Sequence, residues 1–333
     1  MKLVTYEVRK QPRIGVVEGK NVVDVRAAVE LVSKKSGPRA LYSDSKFKAA
    51  AQTLAEGGPA PAGMKMALAR GESWLKALGV VTKALAREQA QRPAGKKPAS
   101  DTARALVTPL ESVRLRAPIL HPGKITCVGL NYADHAHEQG IEPPAAPIFF
   151  LKSMNAIIGP GDTIILPPNS EKVDYEAEFA VVIGKGGRNI PEEKAWEHVA
   201  GYMVLHDVSA RDMQFSDQQW YRAKSCDTFA PTGPWITTKD EVRDPHNLRI
   251  SLTLNGETLQ DSNTSNLIFK IPFLISYLSQ SITWEPGDLI STGTPPGVGV
   301  FRKPPVFLKP GDTVSVTVEK LGTLTNPVAA PRA

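Results

Sequence analysis

The sequence predicts an α+β protein, mostly β, built as a small N-terminal domain over residues 1–113 and a larger domain over residues 114–333. Three observations carry this. A chain of 333 residues has room for more than one hydrophobic core. The triplet Pro-Gly-Asp recurs at Pro160-Gly161-Asp162, Pro286-Gly287-Asp288 and Pro310-Gly311-Asp312, each time followed by an apolar, β-branched run: Thr163–Leu166, Leu289–Thr292 and Thr313–Val318. Proline presets the first turn position and glycine supplies the next, so each triplet reads as a tight turn feeding a strand. No regular alternation of strand and helix runs through the chain, which argues against a doubly wound sheet.

In chain order, Lys2–Val8, Arg13–Glu18 and Asn21–Val25 are short β-rich runs, with Glu18-Gly19-Lys20 as a turn. From about Ala27 to Gln91 the chain is rich in Ala, Lys and Leu, an insertion read as helical. Met64–Gln91 is predicted as one helix with Gly79 as its weak point. Arg92–Ser100 (RPAGKKPAS) is a linker by composition. Beyond Lys124, short β-rich runs alternate with Gly and Pro turns, and Asn255-Gly256 marks a hairpin.

Composition excludes several classes. Hydrophobic residues make up 41% and charged residues 22%, ordinary for a globular protein. No apolar run reaches the roughly 18 residues of a membrane helix, so no membrane partner is expected. The N-terminus lacks the features of a signal or transit sequence, which makes a cytoplasmic address the default. Two cysteines, Cys127 and Cys226, exclude a disulfide framework or a Cys-rich zinc site and read as separate reduced thiols. The net charge of +6 is dispersed, with no basic stripe and no interleaved aromatics, so nucleic acid is not expected as a partner.

The most informative stretch is Lys172–Lys185, KVDYEAEFAVVIGK. Residues two apart in a strand face the same side, so Asp174, Glu176 and Glu178 share one face and Tyr175, Ala177 and Phe179 the other. Adjacent carboxylates repel unless they are solvated or joined by a cation. The continuation AVVIG reads as buried on both faces and favours the cation. A further acid, Asp207, stands where the apolar run Gly201–His206 stops. Carboxylate oxygens without cysteine or paired histidine make a hard site for Mg²⁺ or Mn²⁺, with Ca²⁺ also compatible. After Asp207, Ser209-Ala210-Arg211-Asp212 reads as a capping box opening a helix, with Arg211, Gln214 and Gln218 on one polar face.

Gly129-Leu130-Asn131-Tyr132 leads into Ala133–Glu138, where His135 and Glu138 are three apart. On one helical turn they would be neighbours, and a carboxylate beside an imidazole makes a general base. His137 reads as a surface residue and His206 as a satisfied structural one. Lys224 precedes an apolar stretch that would partly bury it. Ser291–Gly297 closes a strand with small residues, including Gly293 and Thr294, whose backbone N–H groups could approach an anion.

Together these segments resemble the fumarylacetoacetate hydrolase superfamily. The likeness rests on G-x-N-Y-x-x-H at Gly129–His135, E-x-E at Glu176–Glu178, H-D-V-S-A-R-D at His206–Asp212, K-S-x-D-T-F at Lys224–Phe229 and T-G-T-P-P-G-V-G at Thr292–Gly299. It runs from about Ile125 to Val328 and is greatest to the fumarylacetoacetate hydrolase domain-containing members, which share the tail Val300-Phe301-Arg302-Lys303-Pro304-Pro305. The resemblance implies a mixed β-roll catalytic domain, commonly a homodimer. It implies Glu176, Glu178 and Asp207 as ligands of Mg²⁺ or Mn²⁺, and His135 and Glu138 as a catalytic dyad in a lid that orders on ligand binding. Lys224 is implied near the reacting group. Arg211, Gln214 and Thr294 are implied as substrate contacts, and Gly293, Tyr132 and the lid-side Lys152 belong to the same binding set. Asp174 lies outside the triad. The expected chemistry is metal-dependent turnover of a small 2-oxo acid through an enolate, led by carbon–carbon hydrolysis of acylpyruvates. Oxaloacetate decarboxylation or keto–enol tautomerisation and isomerisation are the alternatives. A regulatory protein that kept the metal site without turnover is the reading from another class.

Overall fold

Alternation in the first two dozen residues becomes an antiparallel meander. Strands β1 (Lys2–Val8), β2 (Gln11–Glu18) and β3 (Asn21–Asp24) pair in order, with Val8 opposite Gln11 and Glu18 opposite Asn21. Gly19 turns the second hairpin at φ +61°. The computed structural model describes residues 1–36, 38–91 and 106–331, and divides into two compact units, Met1–Arg116 and Ala117–Ala333.

In the first unit, β4 (Val107–Pro109) adds to β3 and β5 (Arg114–Arg116) to β1. Helix α1 (Val25–Ser33) starts at once because Asp24 caps it, its Oδ1 accepting from Ala27 N at 2.7 Å. Helices α2 (Arg39–Ser43), α3 (Ser45–Glu56), α4 (Met64–Ala69) and α5 (Gly71–Ala90) follow. The single helix expected over Met64–Gln91 is two helices. They part at Gly71, the first residue of α5, whose φ of +83° turns the chain between the two, while Gly79 sits inside α5. A glycine inside a helix costs only about 1 kcal/mol, which the buried Trp74, Leu78 and Val81 offset. The linker Arg92–Ser100 lies outside the described residues.

The second unit is dominated by strands, the first by helices, so the mostly β character belongs to the second unit alone. Its strands and helices begin with β6 (Ile125–Gly129), α6 (Ala133–Glu138), β7 (Ile148–Lys152), β8 (Ile157–Ile158), β9 (Ile164–Ile165), β10 (Val173–Asp174) and β11 (Ala177–Ile183). There follow β12 (Val199–His206), β13 (Ser209–Ala210), α7 (Arg211–Ser216), α8 (Tyr221–Lys224) and β14 (Ala230–Thr238). The last are β15 (Arg249–Leu254), β16 (Glu257–Asn263), α9 (Ile271–Ser279), β17 (Leu289–Ser291), β18 (Thr313–Val318) and β19 (Gly322–Ala329).

One mixed sheet runs β14-β12-β11-β17-β6-β7, and a second runs β16-β15-β18-β19-β9. Phe179, Tyr202 and Val204 from the first sheet and Ile250, Leu252, Val316 and Leu324 from the second lie in one buried core. This is the mixed-sheet α+β architecture the sequence predicts.

The three Pro-Gly-Asp turns share one construction. Gly161, Gly287 and Gly311 have φ of +73°, +87° and +93°. In each, the aspartate accepts from the backbone N–H three residues back: Asp162 from Gly159 at 2.9 Å, Asp288 from Glu285 at 2.8 Å and Asp312 from Lys309 at 2.7 Å. Asn255-Gly256 turns β15 into β16, both residues at positive φ.

Candidate active site and metal centre

Strand β11 and the end of β12 set the site. Ala177 lies opposite His206 and Glu178 opposite Leu205, so the acids just before and within β11 meet Asp207 as it leaves β12. Glu176, Glu178 and Asp207 are all buried, and one oxygen from each lies within 4.8 Å of the others. The face alternation reads as predicted: Tyr175, Ala177 and Phe179 enter the core.

The charges in this cluster are unequally matched. Lys224 Nζ lies 2.7 Å from both Glu176 Oε2 and Asp207 Oδ2. Lys152 Nζ lies 2.5 Å from Asp207 Oδ1 and donates to Val208 O at 3.1 Å. Burial works to raise the Glu176 carboxyl, but the Lys224 and Arg211 charges outweigh it and hold the group at about 2. Glu178 has less help, since the Lys224 charge acts on it only from beyond ion-pair distance. It accepts from Ser291 Oγ and from Gly293 N at 3.2 Å, with no Lys or Arg in ion-pair range among the described residues. Burial, then the Asp207 and Glu176 charges, push its carboxyl well above the usual range. A hard divalent cation fits this donor set: three converging carboxylates, no sulfur, no imidazole, and one acid whose charge the protein does not balance.

Asp174 does not join the triad. Its Oδ2 accepts from Arg211 Nε at 2.8 Å and Val300 N at 3.0 Å, and its Oδ1 from Gly299 N at 2.7 Å. Arg211 in turn places Nη2 2.7 Å from Glu176 Oε1 and donates from Nη1 to Gln214 Oε1 at 2.8 Å. Arg211 and Gln214 are thus brought together on one side of the cluster, whereas Gln218 lies exposed beyond the end of α7. The expected capping box is absent. Ser209 is held in β13 opposite Asp174, its Oγ donates to Asp207 O at 2.9 Å, and α7 begins at Ala210 without a side-chain cap. Counting Asp174, Glu176, Glu178 and Asp207 against Lys152, Arg211 and Lys224, the formal net charge is −1.

Helix α6 carries the dyad. His135 Nδ1 lies 2.9 Å from Glu138 Oε2, and His135 Nε2 lies 2.9 Å from Gln139 Nε2. A carboxylate only accepts, so Nδ1 carries the proton and Nε2 holds the lone pair, which accepts from the Gln139 amide. Glu138 Oε1 accepts from Gly297 N at 2.8 Å. Burial acts to raise the Glu138 carboxyl, but the His135 and Gly297 hydrogen bonds lower it on balance. His137 is exposed. His206 is buried, but not satisfied as the sequence reading expected: its Nε2 has no hydrogen-bond partner among the described residues. Burial, with the Lys152 and Lys224 charges, lowers its pKa to about 3.

The loop after β17 joins the two halves. Gly293 N–H is spent on the Glu178 carboxylate, so the anion it approaches is the protein's own. Thr294 Oγ1 accepts from Gln260 Nε2 at 2.9 Å, and Gln260 also donates to Pro295 O at 2.8 Å. Gln260 Oε1 accepts from Ala177 N at 2.8 Å, between the two glutamates. Gln260 and Gln139 were missed at the level of sequence, where an isolated glutamine carries no signal. Tyr132 is fully buried, its hydroxyl has no hydrogen-bond partner among the described residues, and burial followed by the Glu178 and Asp134 charges raises it. Cys127 and Cys226 are separate free thiols.

Residues 124–329 match the family described as fumarylacetoacetate (FAA) hydrolase, C-terminal. The chain belongs to the fumarylacetoacetate hydrolase family. Its relatives include the mitochondrial oxaloacetate tautomerase FAHD2A of Bos taurus, 54% identical over 224 residues, covering 67% of this chain and 71% of that protein. The solved 5-carboxymethyl-2-hydroxymuconate delta-isomerase of Mycobacterium smegmatis is 46% identical, with a TM-score of 0.61, covering 68% of this chain and 86% of that one. Maleylpyruvate hydrolase of Sphingobium sp. SYK-6, solved with manganese(II) and pyruvate, is 28% identical with a TM-score of 0.70, covering 100% of both chains. Family members of these names are enzymes, and this fumarylacetoacetate hydrolase family chain carries a buried acidic triad suited to a divalent metal. No helix among the described residues is long and apolar enough to cross a membrane. The bovine relative is mitochondrial by name, so the cytoplasmic default is not carried further.

Proposed function

We propose that the protein is a divalent-metal-dependent keto–enol tautomerase of small 2-oxo acids, with oxaloacetate as its leading substrate. The observation that carries this is the setting of His135, fixed at Nδ1 by Glu138 and capped at Nε2 by an amide. Tautomerisation needs one group that takes a proton from carbon and later returns one. Gln139 suits both states, since its amide can donate to the neutral ring or, turned over, accept from the protonated one. The 54% identity to an oxaloacetate tautomerase supports the same choice.

A divalent cation held by Glu176, Glu178 and Asp207 would supply the positive charge that draws electron density from the 2-oxo group. Arg211 and Gln214 would orient the substrate carboxylate, with Asp174 fixing the guanidinium. With the Gln139 amide turned aside, His135 Nε2 takes a proton from C3, the C–H electron pair forms the C2–C3 double bond, the oxo π pair moves onto oxygen, and the imidazolium returns its proton there to complete the enol. Lys224 and Lys152 hold Asp207 in place, and Lys224 also holds Glu176.

Hydrolysis of acylpyruvates, which leads the reading from sequence, stands second. It is favoured by the likeness to maleylpyruvate hydrolase and would use His135 to deprotonate water. The deciding experiment follows oxaloacetate enol absorbance with Mg²⁺ or Mn²⁺ and an EDTA control, beside an acylpyruvate cleavage assay. Faster, EDTA-sensitive enol–keto exchange is expected. Acylpyruvate cleavage without any acceleration of that exchange would overturn the tautomerase reading.

A further inference from the structure

We propose that Gln260 is a positioning residue for the tautomerase reaction, a spacer that sets how far the His135–Glu138 dyad stands from the acidic triad. The inference rests on reading His135 as the base and deepens it by assigning what holds that base at its working distance.

The strands that build the site part beside it. β17 pairs with β11 over Ala180–Val182, and Thr292 N donates to Phe179 O at 3.1 Å. The chain then leaves β11 and runs to the dyad, where Gly297 N meets Glu138 Oε1 at 2.8 Å. The result is a fork. One arm, Glu176–Glu178, carries two acids of the triad, and the other, Thr292–Gly297, carries the backbone anchor of the dyad. Gln260 lies across the fork and is 1% exposed. Its Oε1 accepts from Ala177 N at 2.8 Å on the first arm. Its Nε2 donates to Thr294 Oγ1 at 2.9 Å and Pro295 O at 2.8 Å on the second. A backbone N–H only donates and a carbonyl only accepts, so the amide has one orientation here. Ser291 Oγ and Gly293 N also cross the fork, but both end on the Glu178 carboxylate. A carboxylate turned towards a cation loosens such bonds, whereas the partners of Gln260 lie outside the triad.

A bulge aims this side chain. Leu252 lies opposite Gln260 and Thr253 opposite Thr258, so Leu259 is an extra residue in β16. Bulges redirect the side chains beside them. Arg302 fixes the bulge to the second arm, donating to Leu259 O and, from Nε, to Gly297 O at 3.1 Å. The contact is close: Gly297 has φ of +101°, and a Cβ there would collide with Leu259 O. Without Gln260 the first arm keeps its pairing in β11, while the second relaxes and takes the dyad with it. Proton transfer is steep in distance, and a displacement of about 1 Å from a remote change can cost about 10²-fold.

The test is Gln260→Met, which keeps the length and removes both hydrogen-bonding ends. With Mn²⁺, kcat for enol–keto exchange of oxaloacetate should fall by about 10–100-fold, while the Mn²⁺ Kd changes by less than about twofold. Deuterium at C3 should slow the variant more than the unmodified protein, because the misplaced proton transfer then limits the rate. A residue that only stabilised the fold would leave that ratio unmoved. Amide exchange reads the same tie without turnover. In metal-free Gln260→Met the Gly297 N–H should exchange at least about fivefold faster, and Ile183 N–H, bonded to Asp288 O at 2.9 Å, should not. Arg302→Met frees the same arm from the other side and should reproduce both changes, so it decides the matter if Gln260→Met does not fold. Unchanged Gly297 exchange, or a fall in kcat matched by lost Mn²⁺ affinity, would overturn the proposal. If the unmodified protein does not accelerate enol–keto exchange, the tautomerase reading fails, and Gly297 exchange alone decides whether Gln260 is the spacer.

Discussion

Arg211 Nε lies 2.8 Å from Asp174 Oδ2 with both side chains buried, and this pair determines where Glu176 can point. The guanidinium cannot swing away from Glu176 Oε1 without leaving Asp174 unpaired. Burial works against the Arg211 charge, but Glu176 and Asp174 together hold it fully protonated. Asp174 therefore acts through Arg211 as a positioning residue. Asp174→Ala should destabilise the protein by about 3–5 kcal/mol, because it removes one partner of a buried ion pair and leaves the Gly299 and Val300 N–H groups without their acceptor. Urea unfolding at neutral pH measures this, and an unmoved midpoint would show that the pair adds nothing.

Metal occupancy should be visible without any substrate. Saturating Mn²⁺ at about 100 times its Kd should stabilise the folded protein by about 2.7 kcal/mol, and EDTA should remove that gain. Glu178→Ala should abolish the metal-dependent rise in Tm while the EDTA-treated protein still melts cooperatively. A metal-dependent rise that survives this substitution would exclude Glu178 as a ligand.

His135→Ala should lower tautomerisation by about 10²–10⁴-fold, the usual contribution of a positioned base. Mn²⁺ binding should persist, since none of the hydrogen bonds made by His135 reaches the triad. Steady-state rates beside metal titration read both quantities. Full activity in His135→Ala would remove the dyad from the mechanism.

Asp212 gives a pH-dependent test. Slight burial opposes its charge, but hydrogen bonds from Ser170 Oγ, Glu171 N and Met213 N lower its carboxyl below the usual value of 3.8. A depressed folded value adds stability above the unfolded pKa, and that stability is lost as pH falls through the folded one. Asp212→Asn should therefore lower Tm at neutral pH, with the difference closing as pH falls below the usual carboxylate range. A difference that persists in acid would assign the effect to shape instead of charge.

Helix α6, implied by the resemblance as part of a lid, is held at its start by hydrogen bonds to three other segments. Asp134 Oδ2 accepts from Ser262 Oγ at 2.5 Å and Asn266 Nδ2 at 2.9 Å, and Asn131 Nδ2 donates to Thr292 O at 2.9 Å. Hydrogen exchange should find residues 133–138 protected before oxalate and Mg²⁺ are added, with ligand-induced protection confined to residues 139–147. Full exchange of α6 in the unliganded protein would contradict this.

Local chemistry made much of this legible in the sequence. The three Pro-Gly-Asp turns, the Asn255-Gly256 hairpin, the alternation of Glu176 and Glu178, and the spacing of His135 and Glu138 all depend on neighbours within four positions. What escaped depends on distant partners. Asp174 meets Arg211 across 37 positions and Gly299 across 125, and Gln260 meets Ala177 across 83. Ser209-Ala210-Arg211-Asp212 misled because the pairing of Ser209 with Asp174 overrode the local tendency to cap. The Met64–Gln91 helix misled because both Gly71 and Gly79 were compatible with a break, and only backbone conformation distinguishes them.

The alternation along Tyr175–Phe179 also bears on how the chain finds its fold. Strand β11 is hydrogen-bonded on both edges, Ala180 opposite Met203 on one side and Ser291 on the other. A slip by one residue would exchange the two faces, pressing Glu176 and Glu178 into the space of Ala177 and Phe179 and stranding Lys224 and Arg211. The acids that would bind the metal thereby double as an alignment mark, rejecting wrong pairings of the central sheet before any ligand arrives.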